Sequence, residues 1–171
     1  MKLLVLCVLV FSEMEWSRAD PVPDNGSADE DLVQRSASCP PGWSEYNNNC
    51  YNYVPRPMDW ASAERTCISM GGHLASIHDM REHQEIQHMI RTASYQTKPT
   101  WIGGYNAQQT EPWFWSDGSR FVYTSWCPGE PNNTDGQQHC LQMNHSADKC
   151  WDDLYCGSQL PSLCKMKVEA V

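Results

Sequence analysis

Apolar residues follow different rhythms along this chain. The first is one uninterrupted run, Leu3 to Phe11, behind the positive charge of Lys2. The run is too short to span a bilayer, and small residues follow it at Ser17 and Ala19. That is the pattern of a secretory signal, residues 1–19, cleaved after Ala19. No later segment is long and apolar enough to anchor the chain, so the mature protein is expected to be secreted and extracellular. Asp20 to Ser38, DPVPDNGSADEDLVQRSAS, is acidic and poor in large apolar residues. It cannot bury enough surface to offset its ordering entropy, and it reads as a flexible leader or propeptide.

The second rhythm is helical. Asp59 stands as an N-cap before Trp60 to Met70, which stops at Gly71-Gly72. Asp79 caps a second helix, in which Ile86, Met89 and Ile90 make an apolar stripe. The remaining rhythm is short and extended. CPPGWSEYNNNCYNY reads as two strands about an Asn47-Asn48-Asn49 turn, because Asn tolerates left-handed backbone angles. TWIGGYN, WFWSDGS and FVYTSW are short β-prone runs punctuated by Gly, Pro, Asn and Asp. Trp113 and Trp115 alternate as half-buried strand residues do. The stretch from Cys127 to Cys156 has little periodicity and reads as a long loop stapled by its own four cysteines. The domain is expected over residues 39–166, with a tail at 167–171.

The 171 residues suffice for one domain with short extras. A net charge of -9 argues against a nucleic-acid role and against attraction to anionic membranes. Eight tryptophans point to a small core built from large rings. Cys7 leaves with the signal, so eight of the nine cysteines remain, an even count that reads as a disulfide framework in a secreted chain. No Cys-x-x-Cys pair is present to suggest zinc. His78, His83 and His88 recur every five residues, which spreads them around a helix surface, unlike the i, i+4 spacing of a zinc pair. No nucleophile sits beside a base in a recognisable motif, so the chain is not expected to be an enzyme.

Taken in order, GGHLASIHD (Gly71 to Asp79), WIGG (Trp101 to Gly104), WFWSDGS, EPN (Glu130 to Asn132) and CWDD (Cys150 to Asp153) resemble the C-type lectin-like domain. The likeness runs from Cys39 to Cys164. It is greatest to the short secreted lectins of fish and to the fish type II antifreeze proteins. It implies an α+β fold, with two helices flanking small antiparallel sheets and a long disulfide-stapled loop. It also implies the pairs Cys67–Cys164, Cys140–Cys156, Cys39–Cys50 and, as in the antifreeze branch, Cys127–Cys150.

The resemblance further implies a calcium site that also holds sugar hydroxyls. By position its ligands are Glu130, Asn132, Gln138, Asp152 and Asp153, with Glu130, Asn132, Gln138 and Asp152 touching the sugar and Pro131 in a cis peptide. Two positions depart from the family. Gln138 stands where it has Glu, and Asp152 where it has Asn, so the count of carboxylates and amides is unchanged while their arrangement differs. Calcium accepts oxygen from both, and the expected affinity is roughly 10⁻⁴–10⁻³ M, as in extracellular modules. Asp152 accepts hydrogen bonds where Asn would also donate, which bears on the sugar more than on the metal. Among relatives, EPN accompanies mannose-type ligands and QPD galactose-type, and WDD also occurs in calcium-independent antifreeze proteins. Trp151 is expected to pack beneath the loop, with Thr134, Asp135, Gly136 and Gln137 shaping the exposed site.

Sequons at Asn25, Asn132 and Asn144 are glycosylation candidates, and a glycan on Asn132 would occupy a proposed ligand. The expected partners are glycans on cell or microbial surfaces. The alternatives are an ice-binding protein of the type II antifreeze kind and a calcium-independent protein-binding module. One site per chain gives useful avidity only after self-association. With the cysteines paired, a homo-oligomer would be non-covalent.

Overall fold

The computed structural model of the chain describes residues 38–107 and 111–168. The expected signal, nearly all of the acidic leader and the Asn25 sequon lie outside those residues. Antiparallel strands β1 (Ser44–Tyr46) and β2 (Asn49–Met58) form the predicted hairpin, with Asn47 and Asn48 both at positive φ in its turn. Helix α1 (Trp60–Ser69) starts at Asp59, whose carboxylate accepts from the Ser62 amide at 2.9 Å. Helix α2 (Met80–Ser94) starts at Asp79, which accepts from the Glu82 amide at 2.8 Å, while Glu82 accepts from the His78 amide at 2.6 Å. Each aspartate caps an orphan amide of its helix's first turn, and on α2 Glu82 answers by holding the amide just before the cap.

The other strands are β3 (His73–Leu74), β4 (Thr100–Asn106), β5 (Trp113–Trp115), β6 (Gln138–His145), β7 (Cys150–Tyr155) and β8 (Leu160–Lys167). They make one sheet in the order β1-β2-β8-β4-β6-β7, with β3 on β8 and β5 on β4. All pairings are antiparallel except β4 with β8. The WIGG motif has a packing reason. A Cβ on Gly103 would lie 2.5 Å from the Leu74 carbonyl oxygen, and one on Gly104 would lie 2.7 Å from Leu141 Cδ1. Both glycines let neighbouring chain approach β4 closely.

Ile77, Ile86, Ile90, Ile102, Leu141 and Met143 join Trp113, Trp115 and Trp151 in the main core. A second cluster under α1 holds Ala63, Leu74, Trp101 and the sulfurs of Cys67, Cys140 and Cys164. The bridges are Cys39–Cys50, Cys67–Cys164, Cys127–Cys150 and Cys140–Cys156, the same pairs the resemblance implies.

Several expectations are corrected. The stretch 127–156 is no plain loop, because it contains β6 and β7. Residues Cys140 to Asn144 of β6 are buried without alternation, since β4 and β7 flank the strand and both its faces are covered. FVYTSW forms no strand. Phe121 and Tyr123 turn rings into the core while Val122 stays exposed, and only Trp126 pairs, with Trp151. Strand β8 includes Lys167, and the buried Val168 donates its amide to the Asn48 carbonyl. Asn144 is 1% exposed and its side-chain amide donates to the Lys98 carbonyl at 3.2 Å.

His83 is not on the surface either. It is 4% exposed and packs against Trp151 and Tyr123. Burial pushes its pKa from 6.5 down to about 4. The unfolded chain binds this proton below pH 6.5 and the folded chain only below about 4. Stability is therefore full above pH 6.5 and is lost as pH falls toward 4, by about 3 kcal/mol for this group. Denaturant unfolding across that window should show the loss in the native protein and a flatter profile in His83→Gln.

Candidate metal centre

Strand β7 presents Asp152 and Asp153 side by side, 6% and 0% exposed. Buried carboxylates need partners, and each has them. Asp152 lies opposite Gln142 in the β6–β7 register and accepts from the Gln142 amide at 2.7 Å. His145 Nδ1 lies 3.4 Å from the same oxygen. Asp153 reaches across to the loop before β6, where it accepts from the backbone amides of Asn132 at 2.9 Å and Asn133 at 2.8 Å.

That loop is brought to β7 by short-range bonds. Cys127 is bridged to Cys150, its amide donates to the Trp151 carbonyl at 2.8 Å, and the Trp151 amide donates to the Ser125 carbonyl at 2.7 Å. The Glu130 amide donates to the Cys127 carbonyl at 2.9 Å, and the Glu130-Pro131 peptide is cis. The Asn132 side-chain amide donates to Glu130 Oε1 at 2.9 Å. Oxygens of Glu130, Asp152 and Asp153 then lie within 4.8 Å of one another, and Glu130 Oε2 is buried without a hydrogen-bond partner. Burial, the negative charge of Asp152 and the neighbouring Asp153 push the Glu130 carboxyl above its ordinary pKa. Burial and then the Asp153 charge push Asp152 up as well, against the pull of Gln142 and His145.

The amide members sit at the edge. Asn132 Oδ1 accepts from the Thr134 amide at 2.9 Å and the Thr134 hydroxyl at 2.6 Å. Gln138 Oε1 accepts from the same Thr134 amide at 2.7 Å, so it faces the loop backbone rather than the carboxylates. Thr134, Asp135 and Gly136 form an exposed 3-10 turn. With Gln137, Gln138, Leu154 and Tyr155, this turn borders a cleft of about 210 Å³. Gln142, His145 and Tyr155 were missed by sequence reasoning. Their places depend on β6–β7 pairing, which a reading of this stretch as loop does not provide. A larger cavity of about 560 Å³ lies elsewhere, around Ser76, His78, Asp117, Ser119 and Lys165. The Lys165 ammonium there is held by Glu82 at 2.6 Å and by the Ser76 carbonyl at 3.0 Å.

The family model of the Lectin C-type domain matches residues 56–166. A ladderlectin of Oncorhynchus mykiss is 40% identical over 124 residues, which cover 72% of this chain but only 65% of that protein's own length. The galactose-specific lectin nattectin of Thalassophryne nattereri is 41% identical over 129 residues, covering 75% of this chain and 80% of its own. Among solved structures, the calcium-free form of a Ca2+-dependent type II antifreeze protein is similar with a TM-score of 0.70. It has 34% identity over 75% of this chain and the whole of the other.

Proposed function

The chain belongs to the C-type lectin domain family, and from that premise we propose that it is a secreted protein that binds carbohydrate through a calcium ion. The observation that carries this reading is the carboxylate trio of buried Asp152 and Asp153 with half-buried Glu130, whose Oε2 is buried without a hydrogen-bond partner. A buried acceptor of that kind is costly unless something positive meets it, and a hard cation with oxygen preference fits the donor set. Glu130, Asn132, Gln138, Asp152 and Asp153 would hold the ion, Gln138 after turning from Thr134. When bound, calcium would supply coordination for two sugar hydroxyls, with Glu130, Asn132, Gln138 and Asp152 as their hydrogen-bond partners. The protein acts by binding, not by catalysis. The EPN sequence favours mannose-type glycans on cell or microbial surfaces. The relative described as galactose-specific makes galactose the natural competitor in any test.

The deciding experiment is thermal unfolding in chelator, in excess calcium, and in calcium with mannose or with galactose. Only ligands of the folded state raise the midpoint. A rise with calcium and a further rise with mannose support the reading. A further rise with galactose alone would reassign the sugar, and no rise with calcium would end the proposal. The proton linkage adds a signature. Carboxyls with raised pKa hold protons that calcium must displace, so calcium affinity should fall as pH is lowered through the acid range. Restoring the family's carboxylate with Gln138→Glu should tighten calcium by about tenfold, roughly the 1.4 kcal/mol of one good charged ligand. Isothermal titration of the two proteins side by side measures it.

A second reading, ice binding, is favoured by the likeness to the type II antifreeze structure. Thermal hysteresis measured with and without calcium tests it on the same material.

A further inference from the structure

The described residues contain two Asp-Gly steps, Asp117-Gly118 and Asp135-Gly136. Asp135 has a left-handed backbone, φ 57°, which Asp117 does not share, and the two also differ at the carboxylate. Both aspartates are exposed. Both glycines have positive φ, 75° and 67°, and a Cβ added to either would meet nothing within 4 Å. Both glycine amides close a turn, on the Trp115 carbonyl at 3.0 Å and the Asn133 carbonyl at 2.8 Å. The carboxylates separate them further. Asp117 is held from three sides, by the Ser119 amide at 2.9 Å and by the Ser119 and Ser76 hydroxyls, both at 2.5 Å. Those hydroxyl bonds outweigh burial and keep its pKa below the ordinary value. The Asp135 carboxylate takes part in no hydrogen bond or ion pair among the described residues.

We propose that Asp135 is a site of spontaneous isoaspartate formation, built into the rim of the metal centre, while Asp117 is protected. The reaction needs no partner. The Gly136 backbone nitrogen attacks the side-chain carbonyl carbon of the protonated Asp135 carboxyl, the new C–N bond forms, and water leaves. The resulting five-membered succinimide is opened by water at either carbonyl. Attack at the side-chain carbon regenerates aspartate. Attack at the main-chain carbon leaves the chain running through the side chain, one methylene longer, with no net change in mass. Glycine favours the step because no Cβ crowds the attacking nitrogen. Hydrogen bonds that fix a carboxylate and keep it ionised oppose it.

The added methylene would fall between Asn132 and Gln138, inside the turn where the Thr134 amide bonds both side chains. Weakened calcium binding by the altered protein is a corollary that rests on the calcium reading. The modification itself does not.

The test is to age the full chain at neutral pH and physiological temperature, then to map isoaspartate by peptide fragmentation and isoaspartyl methyltransferase labelling. The peptides containing 135 and 117 are read separately, since Asn25-Gly26 can also yield isoaspartate. The expected result is accumulation at 135 and a much slower or undetected change at 117. Asp135→Glu, which disfavours the ring, should lose the signal, and Ser119→Ala should raise the signal at 117. Equal rates at the two sites in the native protein, or none at 135, would overturn the proposal. So would a Ser119→Ala protein that leaves 117 unchanged. A calcium titration of the fresh protein stands apart from these outcomes, so failure of the metal reading is not mistaken for failure of this one.

Discussion

Asp153→Ala is expected to abolish the calcium-induced rise in unfolding midpoint and also to lower the midpoint of the metal-free protein. The carboxylate is fully buried, and its two oxygens accept from the backbone amides of Asn132 and Asn133. Removing it leaves two part-buried N–H groups without acceptors. A fully buried orphan costs about 1–3 kcal/mol, so this part-buried pair should cost about 2–4 kcal/mol. Relief of repulsion with Glu130 and Asp152 offsets part of it, which places the expectation toward the lower end. Asp153→Asn separates the roles. It keeps one acceptor oxygen but lacks the charge, so it should lose most of the calcium response with a smaller loss of stability. Glu130→Gln should differ in sign. Its carboxyl is pushed up by burial and by Asp152 and Asp153, so its charge opposes folding at neutral pH when no cation is bound. Neutralising it should raise the metal-free midpoint while weakening calcium. If Asp153→Ala keeps the calcium-induced rise, the proposed ligand set is wrong at its centre.

The contrast shows what was legible in the chain. Caps and turns are local, so Asp59, Asp79 and the Asn47-Asn48 turn announced themselves through residue type alone. The carboxylates were legible because EPN and CWDD carry them within a few residues. Strands β6 and β7 were not legible, because runs of consecutive buried residues, in the inner strand β6 and in the edge strand β7 alike, have no alternation to read. What those strands determine was therefore also missed. Gln142 and His145 attend Asp152 only through strand register. Gln138, placed by resemblance among the metal ligands, accepts from the Thr134 amide, a bond that depends on the fold of the loop before β6. His83 was read as a surface residue from its spacing, but burial depends on what packs across the helix, and here that is Trp151.

Trp151→Ala tests the same region from the core side, and its expected outcome is the converse. The ring is fully buried among Trp115, Phe121, Tyr123, Trp126 and His83, with centroids 5.6 to 6.2 Å away. Deleting a ring of this size from a packed core costs about 3–5 kcal/mol. The main-chain frame that carries the carboxylates does not use the ring. The Trp151 amide and carbonyl are bonded to Ser125 and Cys127, and the Cys127–Cys150 bridge ties the two stretches covalently. A folded Trp151→Ala protein should therefore keep its calcium-induced rise in midpoint while starting from a much lower one. Trp151→Phe should fare better than its lost volume suggests, because the indole N–H is buried without a partner and its removal relieves that cost. His83 offers an independent readout. With the ring gone, water reaches the imidazole, its pKa rises toward the ordinary value, and the loss of stability between pH 6.5 and about 4 should shrink. A Trp151→Ala protein that folds but no longer responds to calcium would mean that the ring, and not the bridged backbone, holds the carboxylates in place.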